Sequence, residues 1–509
     1  MKRTISLLLA LLLSAASAFS LTACSEKNLD SESPVSQNEE ALADASSEDN
    51  ETEASDPFSG TDFGGRAFRV YTSVNEYDST NGDKFIRGSG ELNGEAVNDA
   101  VFNRNQKVAD LLNISYDYTE ADYDYNNGSD AIESQIMAGA DEWDVMANDI
   151  GGFAGLARDG YIRNVYNSEI LDLTKSYWYA DAMRDCQFIE GGMYLLIGDY
   201  FTDALQSSHC LYVNEEILND AYGTTEFVNN VVFEGKWTLD AMIGVMEDTM
   251  RDTDGSGQMK EGDLFGFTCI GMWGSVIPFV IGSDIQFIER TDEGPQFCFN
   301  NEHSVKTLEK LYELFYSPAT LTDPEDFSTR GLQILFSNNQ STILGYNRLG
   351  DLANFRDVEF AMGVVPYPKL DEAQENYVST MHDISEIGAI PVTLPAESVA
   401  FCHTVLEVLC RETGRTVIPE WYENGLKIKY SKGQDDAKMI DLIHDTITGP
   451  FAVAYNSVLG DFLLTSCFCE PLAYNRPDFA SAYKSNEKAA SKQLQKAYDK
   501  FAENLRNGN

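Results

Sequence analysis

The stretch that most constrains this chain runs from Tyr194 to Leu218. It begins with an apolar run that reads as a strand, continues through polar residues between Asp199 and Ser208, and ends in a second apolar run that leads into a capped helix. On both sides of it, short apolar strands alternate with helical segments, a pattern typical of α/β domains. We therefore predict that the chain crosses here between two α/β lobes, with the functional site in the cleft between them.

The N-terminus has the features of a secretory signal. Lys2 and Arg3 precede an apolar run from Leu7 to Leu13, which is too short to cross a bilayer as a helix. The order Leu-Thr-Ala-Cys that ends at Cys24 resembles a bacterial lipobox, which implies cleavage of residues 1–23 and attachment of lipid to the Cys24 thiol. The alternative is an ordinary secreted protein in which this cysteine is incidental.

An acidic segment follows the signal. Residues 24–61 are mostly Ser, Glu, Asp, Asn, Ala and Thr, and Lys27 is the only basic residue among them. Such a composition buries too little apolar surface to offset the entropy lost on ordering. We expect a solvated, disordered tether that holds the folded part at the extracellular face of the cell membrane.

The charge of the chain limits its partners. The formal net charge is −46 at pH 7, and a field of that sign disfavours nucleic acid, anionic lipid head groups and polyanionic substrates. Neutral or cationic ligands are the better expectation. The length that remains after the tether, about 450 residues, is too great for one core and suits two domains.

The cysteines favour free thiols over a disulfide framework. Several of the eight that follow Cys24 lie inside apolar runs, where a thiol behaves as a small buried hydrophobe. Paired bridges stay open as the alternative, because an even number outside the cell is also typical of disulfides. No Cys-x-x-Cys pair with matching histidines occurs, which argues against zinc. The eight are Cys186, Cys210, Cys269, Cys298, Cys402, Cys410, Cys467 and Cys469.

The first lobe follows a βαβ pattern. Predicted strands at 66–72, 114–118 and 143–148 alternate with predicted helices at 95–112 and 129–138, which indicates a largely parallel sheet. Ligands of such sheets gather beyond the carboxyl ends of the strands. The candidate contacts there are Asn75, Asn148 and Asp149.

Several short stretches follow one another in an order that is hard to produce by chance: Asn98–Asn105, Trp143–Val145, Leu211–Glu216, Lys236–Asp240 and Phe265–Phe267. Together with the lipobox, they resemble the extracellular solute-binding lipoproteins of bacterial ABC importers, the sugar-binding type (family 1) related to maltose-binding protein. The resemblance covers nearly the whole mature chain.

The resemblance implies an α/β protein with the two-lobed periplasmic-binding-protein-like fold of type II and hinge strands between the lobes. It places residues 62–205 and 341–405 in lobe 1, and residues 206–340 and 406–509 in lobe 2. It also implies a function: a monomer that captures a small solute, most simply a sugar or oligosaccharide, and delivers it to a membrane permease.

The same resemblance suggests further ligand contacts. Trp273 lies between glycines where relatives face the cleft, and an indole suits the C–H face of a pyranose; a core tryptophan is the alternative. After the predicted strand 340–345, Tyr346 is a second stacking candidate, and Asn347 and Arg348 are candidates for polar contacts. Asp203, in the polar middle of the crossing stretch, completes the predicted ligand set.

The sharpest local motif is a twelve-residue loop from Asp252 to Asp263 that fits a calcium-binding loop. It has oxygens at positions one, three and five, a glycine at six and a carboxylate at twelve. Lys260 at position nine and an aspartate rather than a glutamate at twelve depart from the pattern, and an acidic surface turn is the alternative. The predicted ligands of a structural calcium ion are Asp252, Asp254, Ser256, Gln258 and Asp263.

The signal for binding is stronger than the signal for catalysis. The five histidines have no metal-ligand spacing, and neither a nucleophile elbow nor a phosphate-binding loop occurs. We therefore predict a binding protein and no enzyme. A surface-anchored glycan-degrading enzyme stays open as the alternative, because a pair of catalytic carboxylates has no sequence signature among 82 acidic residues.

Overall fold

The computed structural model describes residues 56–74, 83–122, 128–260, 262–291, 294–323, 330–355, 357–422 and 434–509. The signal, Cys24, the tether up to residue 55 and Asn75 lie outside the described residues. The chain from Asp56 to Asn509 forms one compact unit. In the described part, no helix combines the length and the apolar character that a membrane span requires.

The strands begin and end as follows: β1 Arg66–Val74, β2 Ile114–Asp122, β3 Val145–Asp149, β4 His209–Asn214, β5 Phe265–Ile270, β6 Ile288–Thr291, β7 Gly294–Phe297, β8 Thr320–Asp323, β9 Ser341–Arg348, β10 Met362–Val365 and β11 Glu386–Ala389.

The α-helices are α1 Asp83–Ile86, α2 Ala96–Leu112, α3 Gly128–Met137, α4 Ile150–Arg158, α5 Ala180–Asp185, α6 Asp203–Gln206, α7 Glu215–Tyr222, α8 Phe227–Phe233, α9 Leu239–Thr249, α10 Met272–Gly282, α11 Glu302–Phe315, α12 Arg330–Ser337, α13 Ala396–Glu412, α14 Ile418–Trp421, α15 Gln434–Asp445, α16 Phe451–Tyr455, α17 Glu470–Ala473 and α18 Phe479–Arg506. Leu349–Phe355 is a 3-10 helix, and Thr413–Val417 and Phe462–Cys469 are π-helical.

The first sheet has the strand order β11-β3-β1-β2, in which β1 runs parallel to β2 and β3 while β11 runs antiparallel to β3. Its parallel core is the βαβ pattern that the sequence predicts. A buried carboxylate joins two of the strands: Asp144, just before β3, accepts hydrogen bonds from the Arg69 backbone N–H at 2.8 Å and from the Arg69 and Arg66 guanidinium groups. This network holds β1 and the start of β3 together, because removing one partner would leave the other charge unpaired.

The second sheet has the order β10-β4-β9-β5-β8. Its first strand in the chain, β4, begins at His209, which confirms that the Tyr194–Leu218 stretch carries the chain into a second α/β body. Helix α7 then begins directly after β4, because the Asn214 side chain accepts hydrogen bonds from the backbone N–H groups of Glu216 and Ile217.

The predicted return to lobe 1 at residue 341 is wrong. Strand β9 lies in the middle of the second sheet, between β4 and β5, and β10 lies at the edge of the same sheet. The chain rejoins the first sheet only with β11, which pairs with β3. The predicted lobe 1 range 341–405 therefore begins too early. The apolar pattern of β9 indicates a buried strand but does not indicate which strands it pairs with.

The predicted start of the last lobe 2 segment at residue 406 is also wrong. Helix α13 runs unbroken through this position and packs on α2. At its end the Arg411 guanidinium binds the Asp56 carboxylate at 2.7 Å, and the Lys107 ammonium binds Glu412 at 2.6 Å. Residues 406–413 therefore belong with the first sheet. The later helix α18 contacts both α4, beside the first sheet, and α11, beside the second.

All eight described cysteines are free thiols, as the sequence favours. Seven are buried and Cys298 is half-buried. Burial raises the pKa of the Cys269 thiol to about 12, so this thiol stays protonated and packs as an apolar group.

Candidate ligand-binding site

The carboxyl end of β3 carries two of the predicted contacts, Asn148 and Asp149. Asp149 ends the strand opposite Glu386 of β11 and begins helix α4, where its carboxylate accepts a hydrogen bond from the Gly152 backbone N–H at 2.6 Å. Both side chains are buried. The local sequence explains the geometry, because an aspartate at the first position caps a helix and small glycines let the chain turn closely around it.

Asp149 has an altered proton affinity. Burial raises the pKa of its carboxyl to about 6, with the negative charge of Asp383 adding to the rise and the hydrogen bond from Gly152 opposing it. The two carboxylates therefore interact electrostatically, although Asp149 and Asp383 come from different passes of the chain. A buried carboxyl whose pKa is raised in this way is a candidate for direct contact with a ligand.

The chain passes between the two sheets just before β4 and again just before β11, and the segment at the end of β9 lies beside the first of these passes. The His209 N–H donates to the Thr380 carbonyl at 2.9 Å, the Leu349 N–H donates to the Ser208 carbonyl at 3.0 Å, and the His382 N–H donates to the Ser207 carbonyl at 3.0 Å. We call these segments, 207–209, 348–349 and 380–385, the hinge segments. They lie where β4 begins and β9 ends, so the ends of the second sheet that face the first lobe meet there.

Tyr346 connects β9 to the third hinge segment. Its hydroxyl bonds His382 Nε2 at 2.8 Å, and His382 Nδ1 contacts the Asp383 carboxylate at 2.7 Å. The Tyr346 backbone lies in the left-handed region at φ 58°, which a tyrosine adopts only under strong constraint. Its ring lies against Gly274 near the start of α10, where an added Cβ would come within 2.3 Å of the ring. The side chain is therefore held tightly in place.

Buried polar atoms without a hydrogen-bond partner among the described residues include three at or beside the hinge segments. They belong to Asn148 (Nδ2), Gln206 (Nε2) and His209 (Nδ1). Each of these residues is at most 5% exposed. A buried polar group that stays unpaired costs about 1–3 kcal/mol, so bound water or a hydroxylated ligand is needed to satisfy this set.

Other predicted contacts make bonds within the protein. The Asp203 carboxylate accepts the Glu386 N–H at 2.7 Å and so ties the crossing stretch to β11. The Asn347 amide donates to the Leu344 and Gly345 carbonyls, and the Arg348 guanidinium binds the Asp351 carboxylate at 3.1 Å. These bonds give the three side chains structural roles, and their contact with ligand stays a prediction.

Trp273 lies in the first turn of helix α10, which begins at Met272. The same turn includes Gly274, which lies against the Tyr346 ring. The stacking role of Trp273 stays a prediction.

Sequence reasoning did not select Gln206, His209 or Asp383 as ligand candidates. Two of them lie in the crossing stretch itself, where polar side chains interrupt apolar runs, and that interruption was the available signal. Asp383 follows His382 on the third hinge segment. Its pKa is lowered although burial opposes this, because the neighbouring His382 and backbone N–H groups favour the carboxylate.

The predicted calcium loop brings its carboxylates together. Ligand oxygens of Asp252, Asp254 and Asp263 lie within 4.8 Å of one another. Backbone N–H groups of Ser256 and Gly257 donate to Asp252, and those of Thr253 and Lys260 donate to Asp263.

Two contacts in the loop compete with a cation. The Lys260 ammonium binds the Asp254 carboxylate, and the Ser256 hydroxyl donates to the Gln258 carbonyl at 3.0 Å. The hydrogen bond from Lys260 is the main reason that the pKa of Asp254 is lowered. The carboxylates therefore fit a hard cation such as calcium, while Lys260 already supplies one positive charge at that place.

Comparisons with known proteins bear on the fold. No protein-family model and no curated protein matches the chain. A family 1 extracellular solute-binding protein from Bifidobacterium longum subsp. infantis matches with a TM-score of 0.53 at 12% identity, over 86% of this chain and 100% of that one. The maltodextrin-binding domain from Bdellovibrio bacteriovorus, bound to maltotriose, matches with a TM-score of 0.51 at 12% identity, over 84% and 100%.

A third structure, an ABC transporter solute-binding protein from Thermotoga lettingae bound to α-D-tagatose, matches with a TM-score of 0.51 at 11% identity, over 84% of this chain and 100% of that one. At such low identity these matches establish the architecture and leave the ligand to be determined. The chain therefore has the two-lobed α/β fold of extracellular solute-binding proteins, as the sequence predicted.

Proposed function

We propose that this protein is a lipid-anchored, monomeric receptor that captures a neutral sugar or oligosaccharide in the cleft beside the hinge segments and delivers it to an ABC permease. The observation that carries the proposal is the set of unpartnered buried polar atoms on Asn148, Gln206 and His209, beside the hinge segments. Two amide donors and an imidazole nitrogen suit the hydroxyl groups of a sugar, each of which both donates and accepts.

Two further observations support a sugar over other solutes. Two of the matched structures hold maltotriose and α-D-tagatose, respectively. The acidic pair Asp149 and Asp383 and the net charge of −46 oppose an anionic solute. A carboxylate can also accept hydrogen bonds from two adjacent hydroxyl groups, one at each oxygen.

The mechanism we infer is closure about the hinge segments. A ligand that contacts both the end of β3 and the end of β9 binds the closed arrangement better than the open one, and only that difference in affinity shifts the population. The closed form then docks on the permease. An affinity in the micromolar range, about −8 kcal/mol, suits solute scavenging.

A thermal-shift screen tests the proposal directly. We expect the melting temperature of the mature protein to rise with at least one neutral mono- or oligosaccharide, because ligand binds only the folded state. Peptides and uronic acids serve as controls and are expected to give no rise. A rise with peptides alone would refute the sugar assignment, and turnover of a neutral oligosaccharide would favour the glycan-degrading enzyme instead.

We also propose that the loop from Asp252 to Asp263 binds a structural calcium ion. Millimolar calcium is expected to raise the melting temperature by about 2–5 °C. Replacing Lys260 with Gln removes the competing ammonium from Asp254, so calcium affinity is expected to increase about three- to tenfold. Calorimetry on both proteins measures the change.

The double variant Asp252→Asn, Asp254→Asn is the control for the calcium experiment and should lose the calcium-dependent shift. Magnesium tests selectivity, since its smaller ion demands stricter geometry. If neither the wild type nor Lys260→Gln gains stability from calcium, the loop is an acidic surface turn.

A further inference from the structure

A cavity lies on the surface formed by the C-terminal part of the chain. It has a volume of about 360 Å³ and is lined by residues of the Phe462–Cys469 π-helix, of α17 and the turn after it, and of the first two turns of α18. None of the residues assigned above to the ligand cleft or the calcium loop takes part in it. We call it the C-terminal cavity. Its lining includes Tyr474, Glu470, Arg476, Asp478, Ser481 and Asn486.

Tyr474 stands out in this cavity because it is 61% exposed, more than the other tyrosines among the large exposed apolar side chains. The turn that carries Tyr474 is held by two tyrosines, one in helix α11 and one directly after it. The Tyr312 hydroxyl donates to the Asn475 side chain at 3.0 Å, and the Tyr316 hydroxyl donates to the Leu472 carbonyl at 2.8 Å. The two supporting rings stack with centroids 4.5 Å apart.

The turn itself is also tightly closed. The Arg476 backbone N–H donates to the Pro471 carbonyl at 2.7 Å, and Asn475 occupies the left-handed region at φ 53°. Asp478 caps α18 by accepting the Ser481 N–H at 2.9 Å. An exposed ring on a pre-organised turn loses little conformational entropy when it takes up a ligand.

The chemistry around the ring indicates which ligand fits. The lining of the cavity combines two carboxylates, a guanidinium group, hydroxyls and an amide with the largely exposed side chain of Tyr474. Planar polar groups that bond neighbouring hydroxyls, next to a flat ring that covers C–H groups, recognise a saccharide. The volume lies at the lower end of ligand pockets, about 300–1,000 Å³, which corresponds to one or two sugar rings.

We propose that the C-terminal cavity is a surface site for neutral glycan chains, with Tyr474 as its stacking platform. Mixed charges in the cavity and the net charge of −46 disfavour a polyanionic chain. Such a site would hold the protein against a polysaccharide while the cleft captures a released solute. The inference stands apart from the proposed cleft function, because it uses different residues.

Retention on insoluble polysaccharides tests the proposal. The mature protein is mixed with starch, cellulose, xylan and mannan, and the bound fraction is measured after sedimentation. We expect retention on at least one of them, and the variant Tyr474→Ala is expected to bind three- to tenfold less. Tyr166→Ala removes another exposed tyrosine, 44% exposed, outside the cavity, and serves as the matched control with unchanged retention.

The cleft variant Asp149→Asn separates the two sites, because it should bind the polysaccharide like the wild type. Equal melting temperatures show that Tyr474→Ala stays folded. Absence of retention on all four polysaccharides, retention that Tyr474→Ala leaves unchanged, or loss of retention in Asp149→Asn alone would each overturn the proposal. The last outcome would assign glycan binding to the cleft and leave the proposed cleft function intact.

Discussion

Replacing Asp149 with Asn is expected to weaken binding of the sugar found in the thermal-shift screen by tenfold to a hundredfold. Hydrogen bonds to a charged group contribute about 1.5–3 kcal/mol, and an amide cannot replace both acceptor oxygens. The fold should be preserved, because Asn caps a helix as well as Asp does and can still accept the Gly152 N–H. Isothermal titration calorimetry gives the affinity, and thermal unfolding gives the stability.

The same residue predicts a pH dependence of binding. The pKa of Asp149 is raised to about 6, so the carboxylate that accepts ligand hydroxyls is lost as the pH falls through 6, and affinity falls with it. Asp383 has a lowered pKa and stays ionised over this range. The Asp149→Asn variant is expected to show a flatter profile. Equal slopes in both proteins would assign the dependence to another group.

Folding stability should respond in the opposite direction. A carboxyl with a raised pKa binds more protons in the folded state than in the unfolded state. Its contribution to stability therefore decreases as the pH rises from 3.8, the ordinary pKa of the carboxyl, to about 6, its pKa in the folded protein. The wild type should therefore lose stability relative to Asp149→Asn over that interval. Denaturant titrations at several pH values measure the difference.

Replacing Gly274 with Ala is expected to lower both stability and ligand affinity. The new methyl group would come within 2.3 Å of the Tyr346 ring, and this overlap costs about 1–3 kcal/mol. The ring has to move, which breaks the hydrogen bond between its hydroxyl and His382. Because that bond joins β9 to the third hinge segment, we expect the affinity for sugar to fall about tenfold.

Gly244 provides the matched control for this change. It lies inside helix α9, and a Cβ added there meets no atom within 4 Å. Gly244→Ala should therefore stabilise the protein by about 0.5–1 kcal/mol, the ordinary effect in a helix, and leave binding unchanged. If Gly274→Ala behaved like Gly244→Ala in both measurements, Tyr346 would have no part in the site.

Local features of the fold could be predicted well from the sequence. The helix caps at Asn214 and Thr238 make the hydrogen bonds that their residue types predict. The βαβ order of the first lobe and the crossing at Tyr194–Leu218 also follow from the sequence pattern, because strand and helix periodicity is local information.

The functional assignments were less predictable. Asp149 at the end of β3 could be selected, because the carboxyl ends of parallel strands share one edge of a sheet. His209, Gln206 and Asp383 could not, since their importance comes from the way three distant hinge segments meet. Arg348 was selected for its chemistry, whereas the structure binds it to Asp351, three residues away.

The sequence alone determined which segments become strands and helices, where one α/β body gives way to the next, and the acidic character of the chain. Only the tertiary structure decided that β9 lies between β4 and β5, that α13 packs on the first sheet, and that Tyr346, His382 and Asp383 form one chain of contacts. The reason is physical: an apolar strand satisfies its hydrogen bonds with any suitable neighbour, so its partner depends on the packing of the whole molecule.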